Sequence, residues 1–194
     1  MIAGLVLAAG AGQRYAASGA SEPKLLAELA GRPLLEHVIA AACAVEALER
    51  VVVVLGAFAD ELRARIDFGR AEPVVCPEWR RGQAWSLRCG ARALAGAGRV
   101  IVLLGDTPLL TPELIARFVE RPPRARAVYG GRPGHPVVLG PDELTALATL
   151  EGDTGARELL AGGQLVECGD LGSGRDVDTL EDLEVVRDEA RSVV

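Results

Sequence analysis

The chain has 194 residues, 49% hydrophobic and 25% charged, with 23 glycines and 11 prolines scattered along it. This composition excludes a disordered or collagen-like chain, and the length suits a single domain, 1–194, better than two substantial cores. With Lys+Arg 21 against Asp+Glu 27 the net charge is -6, so the overall field repels polyanions and no nucleic-acid partner is expected.

No apolar run approaches the roughly 18 residues that would span a bilayer, and no positive charge precedes the apolar stretch at the N-terminus. A soluble, cytoplasmic protein with no membrane partner is expected. Cys43, Cys76, Cys89 and Cys168 lie far apart, without Cys-x-x-C spacing or paired histidines. Neither a zinc site nor a disulfide framework is expected from that spacing, only free thiols.

In chain order, apolar β-branched runs at 2–8, 51–55, 74–76 and 100–104 lack polar alternation, as in strands covered on both faces of a mostly parallel sheet. Between them, Leu34, Val38, Ala42 and Val45 share one face of a helix over 33–48, and Phe58, Leu62 and Ile66 recur at every fourth position of another. Thr111 before Pro112 opens a helix carrying Leu114, Ile115 and Phe118. Two strand-like pieces, 125–129 and 136–139, flank a turn-rich stretch and form a small β excursion. Short helices near 141–150 and 154–160 follow, then a strand at 164–168. A terminal helix is capped by Thr179 with Asp182 three positions on. The pattern is α/β with three layers.

The first strand runs into Ala8-Ala9-Gly10-Ala11-Gly12-Gln13-Arg14, at the sheet edge where open α/β folds bind ligands. Small residues there let phosphates approach the backbone closely. A dinucleotide fingerprint would need a small residue where Tyr15 stands and an acid where the second strand closes with Leu55-Gly56. A P-loop needs Ser or Thr after its lysine, and Lys24 precedes Leu25. The remaining reading is a glycine loop with Arg14 and Lys24 behind it, suited to a triphosphate.

The string LVLAAGAGQRY, with PKLL, GRPLL, GQAWSLRCG, GDTPLL, GHPVVLG, GDTGAR and DVDTLEDL in order along the chain, resembles the MobA-like nucleotidyltransferases. SLRCG, GHPVV and GDTGAR are most similar to the molybdenum cofactor cytidylyltransferases. The chain departs from that branch in GDTPLL, where GDQP is common, and in Leu180, where proline is common.

The resemblance implies a three-layer Rossmann-like nucleotidyltransferase fold that transfers CMP from CTP to the phosphate of molybdopterin. It implies Mg²⁺ held by Asp106 and Asp178, with Asp176 as the competing second ligand, and catalytic roles for Arg14, Lys24 and Asp106. Nucleotide contacts would come from Ala8, Ala9, Gly10, Ala11, Gly12, Arg14, Lys24, Gly82 and Ser86, and acceptor contacts from His135 and Arg157. Its partners would be CTP or another NTP, a phosphorylated acceptor of the molybdopterin type, and transiently a client molybdoenzyme or chaperone. An acceptor phosphate is already anionic near neutrality, so the chemistry needs no general base. A helix N-cap is the competing role for Ser86 and for Asp153.

Overall fold

The apolar runs assemble around β1 (Ile2–Ala8), which pairs in parallel with β4 (Arg50–Leu55) on one side and β6 (Arg99–Leu104) on the other. The computed structural model describes residues 1–147 and 158–192. Outside β4 lies the parallel β5 (Glu72–Val75). Alternation along these strands sends Val51, Val53 and Leu55 into one core layer and Val52 and Val54 into the other. The first layer takes Leu35 and Val38 from α2 (Leu34–Cys43), Leu62 from α3 (Ala59–Arg65), and Leu114 and Ile115 from α5 (Pro112–Ala116). The second takes Leu87 from α4 (Gln83–Ala93). The sheet therefore lies between two helical layers.

The expected β excursion is part of that same sheet. β8 (Arg132–Leu139) pairs antiparallel with β6, β7 (Arg126–Tyr129) pairs antiparallel with β8, and β9 (Leu165–Glu167) adds in parallel to β7. The result is seven strands in the order β5-β4-β1-β6-β8-β7-β9. β6 would otherwise present an unpaired edge, and β8 covers it. A separate two-stranded ribbon joins β2 (Glu28–Leu29) to β3 (Arg32–Pro33). α2 ends before residue 48, because Val45 and Leu48 turn through successive tight backbone bonds and still reach the core.

Two sequence signatures fix helix starts. Thr111 Oγ1 accepts the Leu114 amide at 3.2 Å. At α7 (Leu180–Ser192) the Asp182 carboxylate accepts the amide and hydroxyl of Thr179, both at 2.8 Å, while Thr179 Oγ1 accepts the Asp182 amide at 3.1 Å. Burial favours the neutral form of Asp182, but these donors outweigh it and hold the carboxyl below its usual range. α6 (Pro141–Ala146) is closed by Glu143, which accepts the Gly140 amide at 3.0 Å. Among the described residues no helix is long and apolar enough to cross a membrane.

α4 sits close on β1 because residue 90 is glycine. A Cβ there would lie 2.3 Å from Leu5 Cδ1 and 2.7 Å from its Cδ2, and Leu5 is fully buried. Gly90→Ala is expected to lower stability by about 1–3 kcal/mol, the usual range for overpacking. A urea midpoint matching the wild type's would show that this interface yields freely.

Candidate functional site

At the carboxyl edge of the sheet, β1 leads through residues 9–12 into α1 (Gln13–Ala17), and Gly12 takes a left-handed conformation with φ 61. That conformation is strained for any residue with a Cβ. The turn presents Arg14, and a 3-10 turn at Lys24–Leu26 presents Lys24. Asp106 follows β6, and its carbonyl accepts the Val177 amide at 3.0 Å. This bond brings the segment before α7, and with it Asp178, back to the same edge. Asp182 reinforces the placement by accepting the Asp178 amide at 3.1 Å.

The two aspartates converge on one ammonium. Lys24 Nζ lies 2.6 Å from Asp106 Oδ2 and 3.3 Å from Asp178 Oδ1, and its side chain is only 12% exposed. Arg14 Nη2 sits 2.8 Å from Asp178 Oδ2 on a side chain that is 77% exposed. These groups open onto a cleft of about 540 Å³ that Ala9, Gly10, Ala11, Gly12, Gly82 and Ser86 also line. Ala8 is buried and does not line it. Gly82, with φ 110, precedes α4, and Ser86 stands inside that helix, so Ser86 is not its N-cap.

Four residues that the sequence does not single out as nucleotide contacts complete this wall. Tyr15, Trp79, Arg80 and Gln83 line the cleft, and the Arg80 guanidinium lies 4.7 Å from the centre of the Trp79 ring. Arg81 and Arg88 flank Trp85 at 3.7 and 4.7 Å. The arginines around 80–92 look like a solvated helix edge in sequence; the signal was their interleaving with two tryptophans.

A second cleft of about 490 Å³ adjoins the first and shares Leu7, Arg14, Gln83 and Leu104 with it. His135, Arg126, Thr107 and Asp176 line it together with apolar side chains that include Leu87, Val102 and Leu139. Asp176 thus faces a different cleft from Asp106 and Asp178. Partial burial, followed by the charges of Asp178 and Asp106, raises its carboxyl above the usual range. Arg157 and Asp153 lie outside the described residues. His37 donates Nε2–H to the Leu29 carbonyl at 2.8 Å and holds β2 in place.

Burial, with a further contribution from the Arg126 charge, pushes His135 down to about 4, so the ring is neutral at pH 7. An unfolded chain protonates near pH 6.5 while the folded one does not, so between pH 6.5 and 4 the unfolded state binds more protons and stability falls with falling pH. His135→Gln is expected to flatten that slope. Urea midpoints at pH 7 and 4.5 that change equally in variant and wild type would contradict this.

A family model described as the MobA-like NTP transferase domain matches residues 4–168. The chain belongs to this family. The MobA-like NTP transferase domain is thus an enzyme of the nucleotidyltransferase class, on the α/β fold described above. It is 34% identical over 197 residues to a protein of Paenarthrobacter nicotinovorans named nicotine blue oxidoreductase, covering 94% of each chain. It is 40% identical over 143 residues to the bifunctional protein GlmU of Rhodospirillum rubrum, covering 71% of this chain and 30% of that one. It therefore spans less than a third of that relative. The crystal structure of Rv0371c from Mycobacterium tuberculosis superposes with a TM-score of 0.80 at 26% identity, over 96% of this chain and 97% of that one. Rv0371c has also been solved as a manganese complex, TM-score 0.75, 25% identity, covering 96% of this chain and 98% of that one.

The donor set of the MobA-like NTP transferase domain fits a small divalent cation. Asp106 and Asp178 each direct one oxygen at a single positive centre, here the Lys24 ammonium. Hard carboxylate oxygens suit Mg²⁺ or Mn²⁺, which take one or two protein carboxylates and complete their shell with water and phosphate.

Proposed function

We propose that the chain transfers CMP from CTP to the phosphate of molybdopterin and releases pyrophosphate, with Mg²⁺ held by Asp106 and Asp178. The observation that carries this reading is the convergence of those two carboxylates, from distant parts of the chain, on one cation in the first cleft, which the second cleft adjoins. When bound, the metal would supply charge neutralisation at the nucleotide phosphates.

The remaining work falls to this chain's own groups. The acceptor phosphate oxygen attacks the α-phosphorus, the new P–O bond forms in line, and the bond to pyrophosphate breaks. Two polyanions must meet, and the -6 molecule supplies local positive charge from Arg14 and Lys24. Residues 9–12, which line the cleft, would donate their backbone amides to the phosphates, and Gly82 and Ser86 would contact base and ribose. Neutral His135 in the second cleft faces the acceptor without adding charge. Arg157 is assigned to the acceptor phosphate on the strength of the GDTGAR resemblance. Leu87, Val102 and Leu139 give the second cleft the partly apolar wall that a pterin requires, which favours molybdopterin over a smaller sugar or alcohol phosphate. A methylerythritol phosphate or sugar phosphate acceptor on the same chemistry is the alternative reading.

The name of the Paenarthrobacter relative raises redox chemistry as a reading of another class. The end of β4 speaks against a dinucleotide: it closes in Gly56, where a Cβ would come within 2.4 Å of the Ala9 carbonyl oxygen and 2.7 Å of Trp79 Cγ. No acidic side chain fits there to hold a ribose.

Pyrophosphate release across the four NTPs, with and without Mg²⁺, against molybdopterin and a panel of phosphorylated acceptors tests the proposal. Release with CTP and molybdopterin is expected. Exclusive use of GTP overturns the cytidylyl assignment, and NAD binding without CTP binding overturns the transferase one.

A further inference from the structure

We propose that Cys76, Glu78 and Cys89 form a second cation site, for a thiophilic divalent ion of the Zn²⁺ type, behind the wall of the nucleotide cleft. The two sulfurs and a Glu78 carboxylate oxygen all lie within 4.8 Å of one another. Tetrahedral zinc places its donors at about 2.3 Å for sulfur and about 2.0–2.2 Å for oxygen, so shifts of an ångström or less close the set.

Three different parts of the fold bring these donors together. Cys76 follows β5, and its amide continues the sheet by bonding to the Leu55 carbonyl at 2.8 Å. Cys89 lies in α4, next to Gly90, where the helix packs on Leu5. Glu78 stands in the connection, whose turn is fixed by the Arg81 amide on the Glu78 carbonyl at 2.9 Å. Cys76 is fully buried, while Glu78 and Cys89 are half-buried, so the site has a closed inner end and an open mouth.

Two sulfurs alone would be read as small apolar groups in a core. A carboxylate beside both of them is what apolar packing does not call for. Soft sulfur donors favour zinc over magnesium, so this set and the all-oxygen pair Asp106 and Asp178 select different ions. Three protein donors leave a fourth position for water, and binding releases the two thiol protons to solvent. A bound ion would tie the end of β5 to α4 across the connection that carries Trp79, Arg80 and Gly82 of the cleft wall. The site is independent of the transferase reading.

The test is metal titration of the full chain, stripped of metal and kept reduced, using Co²⁺ as the spectroscopic probe and Zn²⁺ in competition with a chromophoric chelator. One equivalent of Zn²⁺ and a thiolate-to-cobalt charge-transfer band are expected. Cys89→Ser, at a half-buried position, is expected to lose the band. Glu78→Gln keeps both sulfurs and is expected to weaken Zn²⁺ at least about 10-fold. Asp106→Asn leaves the band intact. A wild-type chain without the band, a band that survives Cys89→Ser, or one lost in Asp106→Asn overturns the proposal. Cys76→Ser, checked for folding by circular dichroism, gives the same reading from the buried side.

Discussion

Asp106→Asn and Asp178→Asn are each expected to lower nucleotidyl transfer by at least about 10²-fold while the protein stays folded. Removing one preorganised electrostatic group from an active site costs on that order, and a metal ligand lost from a pair leaves the ion with half of its protein charge. Folding survives because Lys24, bonded to both acids, keeps a partner in either variant. Asparagine preserves side-chain shape, so the loss reports charge rather than packing. Asp176→Asn is the informative contrast. Asp176 lines the second cleft, so its substitution is expected to change the apparent affinity for the acceptor more than for the metal. Initial rates against divalent-ion concentration separate the three. A metal dependence displaced by Asp176→Asn and untouched by Asp178→Asn would reverse the assignment.

Arg14→Ala and Lys24→Ala are also expected to cost at least about 10²-fold in turnover, with different effects on stability. The Arg14 side chain is 77% exposed, so its pair with Asp178 is screened by water and its loss leaves the folded state nearly unchanged. Lys24 is held between two carboxylates, and removing it leaves like charges facing each other. Lys24→Ala is therefore expected to melt earlier than the wild type in divalent-free buffer and to gain more Tm on addition of Mg²⁺ or Mn²⁺. Thermal unfolding with and without the ion measures this directly. Equal metal-induced shifts in Lys24→Ala and wild type would show that the ammonium and the metal do not share one position.

The strands around β1 are legible in the sequence because burial on both faces leaves no polar alternation to misread, and Thr111 and Asp182 advertise their helices through local chemistry. The continuation of the sheet through β8, β7 and β9 is not legible. Edge pairing between β6 and β8 joins residues far apart in the chain, and nothing in the stretch 125–139 says which strand it will cover. The site divides in the same way. The glycine loop and the cations behind it are contiguous enough to read as a phosphate cradle. The meeting of Asp106 with Asp178 rests on long-range bonds, from the Val177 amide to the Asp106 carbonyl and from Lys24 Nζ to both acids, which no spacing in the chain encodes. Ala8 reads as part of the loop and is instead buried at the end of β1, because the turn toward the cleft begins one residue later. Cys76 and Cys89 show the same limit. Spacing argues against a shared site, and the passage from β5 into α4 brings the two sulfurs together.

On the proposed function, one divalent ion between Asp106 and Asp178 links the protein to its nucleotide. Calorimetric titration of CTP into metal-free protein, repeated with saturating Mg²⁺ and repeated again with Asp178→Asn, tests it most directly. Tight binding only in the presence of Mg²⁺, and loss of that dependence in the variant, are expected. CTP affinity that is the same with and without Mg²⁺ in the wild type would contradict it.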